Sequence, residues 1–276
     1  MAILQGPLVY LTDGAPDSLA LFPEVSAFAQ AIGSPTLLAR VESSDYTDAR
    51  PDPRFSAALA SLDNPPEVVV VSQRRLGAGL AALSELRGAT LALTPRRYGG
   101  LLRLLLGTQH ERLLRETALS LLTLPNDGTI GTVRRVLFPA DFAPRSLAAF
   151  DQAVALCQAL AAELVVLHVY GNDRLPTAAA DKERRMAAQS PLELFNIDKE
   201  QLVALVERAG QAGVRATSAI ADGRAHAQIL RHISANPIDM VVMPSHGPRT
   251  VEDILQGSTT IRVVQRAPVP VLVIRT

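Results

Sequence analysis

Short apolar runs rich in Val, Ile and Leu alternate along the chain with segments that have the periodicity of amphipathic helices. Continuous apolar strands separated by helices are typical of parallel sheets that helices cover on both faces. The pattern therefore predicts an α/β fold. The predicted strands form two sets of five: residues 7–12, 36–41, 67–72, 90–94 and 119–124, then 134–140, 163–169, 214–220, 239–244 and 269–275.

The two sets align with a constant spacing, which indicates an internal duplication. Three residue pairs in the first part of each set have the same separation in sequence: Asp13 with Asp141, Ser18 with Ser146, and Val41 with Val169. The two serines are candidate helix N-caps. Further along, Gly107 and Gly257 have a larger separation.

The increase in separation predicts an insertion between strands two and three of the second set. Residues 170–198 carry it, and their polar, Ala-rich composition predicts a long loop with some helix. The expected organisation is a first domain over 1–125, a turn-rich linker over 126–135 and a second domain over 136–276.

Composition narrows the class of protein. The 276 residues, 48% of them hydrophobic, suffice for two domains that each have a core. Charges balance at 27 basic and 27 acidic residues, which favours neither nucleic acid nor a membrane surface as a partner. Cys157 is the single cysteine and is predicted to be a buried, inert thiol. With no signal peptide or apolar membrane span, we expect a cytoplasmic protein.

The stretch from Met243 to Thr260 carries the main candidate chemistry. Gly247 follows an apolar strand, and Gly257, Ser258 and Thr259 precede an apolar helix. A helix N-terminus offers unpaired amides and a positive dipole end to a phosphate, and glycine permits close approach. No lysine stands at the loop, which excludes a Walker-type phosphate loop. A plain turn before a well-capped helix is the alternative.

The second half resembles the universal stress protein family, and the whole chain its tandem form. The likeness rests on an ordered set of segments and on the spacing Gly247-x9-Gly257-Ser258. It covers about residues 134–276 and reaches the first half mainly through the internal duplication. The segments are VLFPADFAPRS, VVLHVY, AIADGRAHAQILRHISANPIDMVVMPSHG and APVPVLVIR.

The resemblance implies two Rossmann-like domains of the adenine nucleotide alpha hydrolase-like type. Each would hold a five-stranded parallel sheet of order 3-2-1-4-5 with helices on both faces. ATP, with Mg²⁺ as an option, would sit at the carboxyl ends of the strands. Asp141 would meet the adenine and Val169 would line the base pocket. The implied binding residues are Pro139, Asp141, Val169, Gly247, Gly257, Ser258 and Thr259. For Asp141, an Asx turn or a favourable charge at a helix start is the alternative.

Departures from the family pattern bear on this expectation. Pro244 occupies the place of the first loop glycine and has no amide to offer a phosphate. In the first half, Leu11 replaces the proline and Arg97 replaces the glycine, so we interpret that site as degenerate. Its arginines could alternatively recognise a phosphate. We interpret His168 as a packed strand-end residue.

Three functions remain open. The first is a stress-response or regulatory protein whose second domain binds ATP or a related adenine nucleotide and acts on an unknown protein partner. The second is an interaction scaffold that binds no nucleotide, and the third is a slow ATP hydrolase. No catalytic residue and no metal cluster can be named from the sequence. The family also suggests that the fifth strands pair within the chain, with homodimerisation as a further option.

Overall fold

A computed structural model describes residues 6–12, 19–42, 53–62, 66–72, 86, 88–94, 119–125, 129–170, 191–245 and 259–275. The chain divides into two compact units, Met1–Gly131 and Thr132–Thr276. Each unit holds its own set of parallel strands and is described by itself.

The first unit contains five parallel strands in the order β3-β2-β1-β4-β5. All four pairings are parallel, so the predicted order 3-2-1-4-5 is confirmed here. The described elements are β1 (Leu8–Thr12), α1 (Phe22–Ala31), β2 (Thr36–Glu42), α2 (Pro53–Ala60), β3 (Val68–Ser72), β4 (Thr90–Leu93) and β5 (Ser120–Thr123).

The second unit repeats this arrangement, with the strand order β10-β9-β6-β7-β8. Counted within the unit, this is again 3-2-1-4-5, so all ten predicted strands and the α/β fold class are confirmed. The described elements are β6 (Arg135–Ala140), α3 (Pro144–Leu160), β7 (Glu163–Tyr170), α4 (Pro191–Gln211), β8 (Ala216–Asp222), α5 (Ala225–Ala235), β9 (Met240–Ser245), α6 (Thr259–Arg266) and β10 (Val271–Arg275).

An aromatic pair joins the first strand to the first helix in both cores. Phe138 of β6 meets Phe150 of α3 edge to face, with ring centroids 5.4 Å apart. Tyr10 and Phe22 occupy the equivalent positions of the first repeat, and their centroids lie 6.4 Å apart. All four rings are buried. The duplication therefore extends from the sequence spacing to the packing of each core.

Burial differs between the strands. Every residue of β1 is buried, and four of the five residues of β10 are buried. In β8, at the end of the strand order, buried positions give way to an alternation of exposed and half-buried residues, with Ile220 37% exposed. Strand β8 pairs with β7 alone among the described strands.

Helix α3 begins earlier than predicted. Its N-cap is Ala143, and Pro144 occupies the first turn, where a missing amide costs nothing. Ser146 is buried inside that turn, so the prediction that it caps the helix was wrong. The corresponding Ser18 lies outside the described residues.

Residues 191–198 of the predicted insertion form the first two turns of α4, and Tyr170 ends β7. Residues 171–190 lie outside the described part. Helix α4 carries a buried stripe that begins at Asp198: Asp198, Leu202, Leu205 and Ala209 recur at helical spacing and are all buried.

Replacing a buried ring of the second core should destabilise that unit strongly. For Phe150→Ala we expect a loss of about 3–5 kcal/mol in the free energy of unfolding, because the residue is fully buried and its removal leaves a cavity. Urea unfolding followed by circular dichroism measures it. Phe195→Ala is the matched control, since that ring is 38% exposed; a comparable loss for both variants would contradict the assigned core.

Candidate functional site

The carboxyl ends of β6 and β9 define the candidate site. Strand β6 lies between β7 and β9. The chain leaves β6 toward β7 on one side, and it places β9 on the other side. This reversal of strand order is the topological switch point of a doubly wound sheet, and ligands bind outside the carboxyl ends of the strands there.

Backbone hydrogen bonds show which way each residue of these strands faces. Glu163 N–H donates to Arg134 O at 2.8 Å, so even-numbered residues of β6 face β7 and odd-numbered ones face β9. Val241 N–H donates to Pro270 O at 2.9 Å, so odd-numbered residues of β9 face β10 and even-numbered ones face β6. Pro139 and Pro244 therefore face each other across the switch point.

The two prolines end the ladder between β6 and β9. Pairing covers only Val136 with Met240 and Leu137 with Val241, although both strands continue. The next two bonds would need amide hydrogens at positions 139 and 244, and proline has none. The ladder therefore stops short of the carboxyl ends of the two strands. Ligands of doubly wound sheets bind outside these ends, and we call this part of the boundary between β6 and β9 the crevice.

The first unit has no proline at the position that corresponds to Pro139. The ladder between β1 and β4 extends one pair further, to Tyr10 with Ala92. Leu11 occupies the position of the first repeat that corresponds to Pro139, and it keeps its amide. Pro244 is a buried residue of β9, within the predicted strand 239–244, so the bond it removes belongs to the ladder with β6.

Asp141 stands at the lip of the crevice, one residue after β6. Its Oδ1 accepts the Ala143 N–H at 3.1 Å, which is the Asx turn expected as an alternative role. The next residue, Phe142, has φ of 59°, a left-handed conformation that is an outlier for a bulky side chain. Such strain persists only when the surroundings impose it, and it is frequent at functional sites.

The other predicted base-side residues lie on the same edge. Pro139 is half-buried in β6, opposite Leu167 of β7. Val169 is half-buried near the end of β7, opposite Ala221 of β8. The structure thus brings Pro139, Asp141 and Val169 to the carboxyl edge of one sheet.

The predicted phosphate loop is described only at its end. Thr259 is the first residue of α6 and is half-buried. Gly247, Gly257 and Ser258 lie outside the described residues, as do the first-half counterparts Asp13, Arg97, Gly107 and Thr108.

Two buried polar residues support this edge. His168 is packed near the end of β7, as predicted, and it is buried. The sequence interpretation missed its polar partners: its ring Nδ1 lies 2.9 Å from Ala140 O and its Nε2 lies 3.2 Å from Asp198 Oδ2. Asp198 of α4 is 2% exposed. The available signal was polarity: a histidine within an apolar strand and an aspartate on the apolar stripe of a helix.

Other chemistry is limited within the described ranges. No group of three or more His, Cys, Asp or Glu residues there could hold a metal ion. None of the helices described is long and apolar enough to cross a membrane. Cys157 is buried, and burial raises the pKa of its thiol to about 12, as expected for an inert cysteine.

The fold is that of a doubly wound α/β protein, and the boundary between β6 and β9 is the switch point of the second unit. The model of the universal stress protein family matches residues 132–275. The chain therefore belongs to the universal stress protein family, and its coarse function is that of a stress-response protein.

Three similar proteins agree with this assignment. Universal stress protein YxiE of Bacillus subtilis is 27% identical over 153 residues, 51% of this chain and 98% of that protein. Universal stress protein MJ0577 of Methanocaldococcus jannaschii is 24% identical over 161 residues, 51% of this chain and 94% of that protein. A universal stress protein structure from Archaeoglobus fulgidus covers 99% of this chain and 97% of its own, with a TM-score of 0.66 and 19% identity; this shows a shared fold.

The thiol of Cys157 should not react with thiol reagents in the folded protein. A pKa raised from 9.0 to about 12 leaves about a thousandfold less thiolate near pH 8 than an ordinary cysteine has. A colorimetric disulfide reagent should therefore detect no thiol before denaturation and one per chain after it. Rapid reaction of the folded protein would contradict the assigned burial.

Restoring an amide at position 139 should extend the ladder between β6 and β9. In Pro139→Leu, the residue that the first unit carries, the new N–H can donate to Val242 O. The new hydrogen bond should stabilise the folded state by about 0.5–1.5 kcal/mol. Loss of the proline should destabilise it by about 0.4–1 kcal/mol, because the unfolded chain gains conformational entropy. Stability is thus a poor readout, and hydrogen exchange of the new amide is the better one.

We expect this amide to exchange slowly, like that of Leu11, which has the equivalent position in the longer ladder of the first unit. Exchange at the rate of an unprotected amide would mean that something other than proline separates the two strands.

Proposed function

We propose that the second unit binds ATP or a related adenine nucleotide in the crevice between β6 and β9, and that occupancy regulates a protein partner. The observation that carries the proposal is the early end of the ladder between β6 and β9 at the switch point, with Asp141 directly after β6. Family membership supports it, since the loop spacing Gly247-x9-Gly257-Ser258 resembles that of nucleotide-binding members.

The base side of the site would be formed by the described carboxyl edge. Pro139 and Val169 offer apolar surface, and Asp141 offers a carboxylate that can accept a hydrogen bond from an amino group. The ladder also stops before it supplies donors to the carbonyl oxygens of Pro139 and Val242, which face the crevice. These acceptors suit a base with an exocyclic amino group, such as adenine.

The phosphates would lie toward the start of α6. Thr259 begins this helix, whose unpaired amides and positive dipole end favour an anion. Gly257 would permit close approach of the phosphate oxygens, and Ser258 would add a hydroxyl donor. Gly247 would allow the preceding loop to pass close to the ribose or phosphates. Mg²⁺, if it takes part, would arrive with the nucleotide.

Binding rather than turnover is the proposed activity. Hydrolysis needs a group that orients or activates water, and His168 cannot serve because both its ring nitrogens are engaged within the buried core. We place the protein in the cytoplasm, where a single buried cysteine and the lack of a disulfide fit the reducing conditions.

A scaffold that binds no nucleotide is the second candidate. The observation that favours it is a set of exposed apolar side chains in the second unit: Phe195 and Val203 of α4 are 38% and 46% exposed, and Ile220 of β8 is 37% exposed. Such surface can bind a protein partner without a ligand. A nucleotide-binding experiment separates the two candidates.

A single substitution in the loop should abolish binding. We expect ATP to bind wild-type protein with a micromolar dissociation constant, or about −8 kcal/mol. Gly257→Arg should lower the affinity at least about a hundredfold, because a side chain would fill the space of the phosphates. Calorimetric titration measures both, and mass spectrometry of freshly denatured protein identifies any nucleotide that copurifies.

Gly107→Arg is the matched control, since this glycine occupies the equivalent position in the first half. It should leave the affinity unchanged. If Gly107→Arg alone removes binding, the site belongs to the first unit. If the folded wild type releases no nucleotide and gives no heat with ATP, the scaffold remains. Phosphate release with ATP and Mg²⁺ would instead indicate a hydrolase.

A further inference from the structure

A buried pair of side chains ties helix α4 to the carboxyl edge of β6. His168 of β7 and Asp198 of α4 are 6% and 2% exposed, and His168 Nε2 lies 3.2 Å from Asp198 Oδ2. The other ring nitrogen, Nδ1, lies 2.9 Å from the carbonyl oxygen of Ala140. The imidazole therefore bridges a helix and the last residue of a neighbouring strand.

The partners of the ring determine where its protons lie. A backbone carbonyl can only accept, so Nδ1 must carry a hydrogen and donate it to Ala140 O. One further proton then lies between Nε2 and the carboxyl group of Asp198. Since both nitrogens are used and the pair is buried, the ring is unavailable as a base for a bound ligand. Its role is to hold its neighbours in place.

Those neighbours flank Asp141 on both sides. Ala140, which accepts the bond from Nδ1, directly precedes it. Phe142, which directly follows it, stacks on the imidazole with centroids 4.6 Å apart and an interplanar angle of 33°. This contact accompanies the left-handed backbone of Phe142, with φ of 59°. The ring of His168 thus contacts the residue before and the residue after the candidate ligand group.

The first unit carries a different arrangement at the equivalent place. Arg40 is the counterpart of His168 in the first repeat, and its guanidinium lies over the ring of Phe55 in α2, 4.5 Å from the centroid. A side-chain contact between the second strand and the following helix therefore exists in both units, but in the first unit it involves neither a histidine nor a carboxylate. The unit with the shorter ladder at the switch point is also the unit in which His168 links the strand to the helix.

We propose that His168 and Asp198 are positioning residues for the nucleotide site: they hold Ala140 and Phe142 so that Asp141 keeps the orientation that meets the base. The predicted effect of these residues on nucleotide binding rests on the proposed function. Its structural part, the orientation of Asp141, can be measured without any ligand, because Asp141 Oδ1 accepts the Ala143 N–H at 3.1 Å.

The test compares Asp198→Ala, Asp198→Asn and a control, Asp239→Ala, in the full chain. Asp239 Oδ2 accepts the backbone N–H groups of Arg134 and Arg135, each at 2.8 Å, at the opposite end of β6. Its loss destabilises the same strand far from the crevice. Three quantities are measured for each variant: the thermal midpoint, hydrogen exchange of the Ala143 amide without ligand, and the affinity for ATP.

For Asp198→Ala we expect the Ala143 amide to exchange at least about tenfold faster and ATP to bind at least about tenfold more weakly, since a buried donor loses its partner. Asp198→Asn should restore both to within about twofold, because the amide can donate to Nε2 while Nδ1 keeps its hydrogen. Asp239→Ala should lower the thermal midpoint but leave the other two quantities unchanged.

A second variant covers the case in which Asp198→Ala fails to fold. His168→Gln keeps a donor that reaches toward Asp198 and removes the donor to Ala140. It should therefore speed hydrogen exchange of the Ala143 amide, as Asp198→Ala does.

The outcomes separate the two proposals. Unchanged exchange at Ala143 in the folded variants would overturn the positioning role, even if ATP binds. Faster exchange together with unaltered ATP affinity would overturn its link to the base. Faster exchange in a protein whose wild type binds no ATP would sink the proposed function and leave the positioning of Asp141 standing.

Discussion

A residue in a parallel strand directs its N–H and C=O groups to one neighbouring strand, and the next residue directs its own to the other. The candidate site depends on this alternation. Pro139 and Pro244 both occupy positions that face the boundary between β6 and β9, so the two missing amides affect one ladder and leave the pairing with β7 and β10 intact. A shift of either proline by one residue would direct its missing amide to a different neighbouring strand.

The position of Asp141, directly after β6, depends on residues that pack behind it. Asp141 follows β6 at once, and its backbone cannot be fixed by sheet pairing because the ladder has ended. The Asx turn to Ala143 and the contacts of His168 with Ala140 and Phe142 replace that pairing. Helix α4 contributes through Asp198, so the lip depends on an element far along the chain.

The two units show how one fold can carry a shorter ladder at the switch point in one copy and a longer ladder in the other. They share the strand order and the aromatic pair between the first strand and first helix, so their cores follow the same rules. They differ at the positions of Pro139 and His168, where the first unit has Leu11 and Arg40. Core packing tolerates these differences because they lie at the end of the strands, where the ladder and the site meet.

The sequence by itself determined the ten strands, the duplication and the α/β class, because apolar runs and their spacing are local signals that burial in a parallel sheet requires. It also pointed to Pro139, Asp141 and Val169 through a family resemblance. Tertiary structure alone decided what Pro244 does, since the direction of a missing amide depends on which strand lies beside it. It alone decided the partner of His168, because Asp198 belongs to a later helix and a lone polar residue on an apolar face does not name its contact.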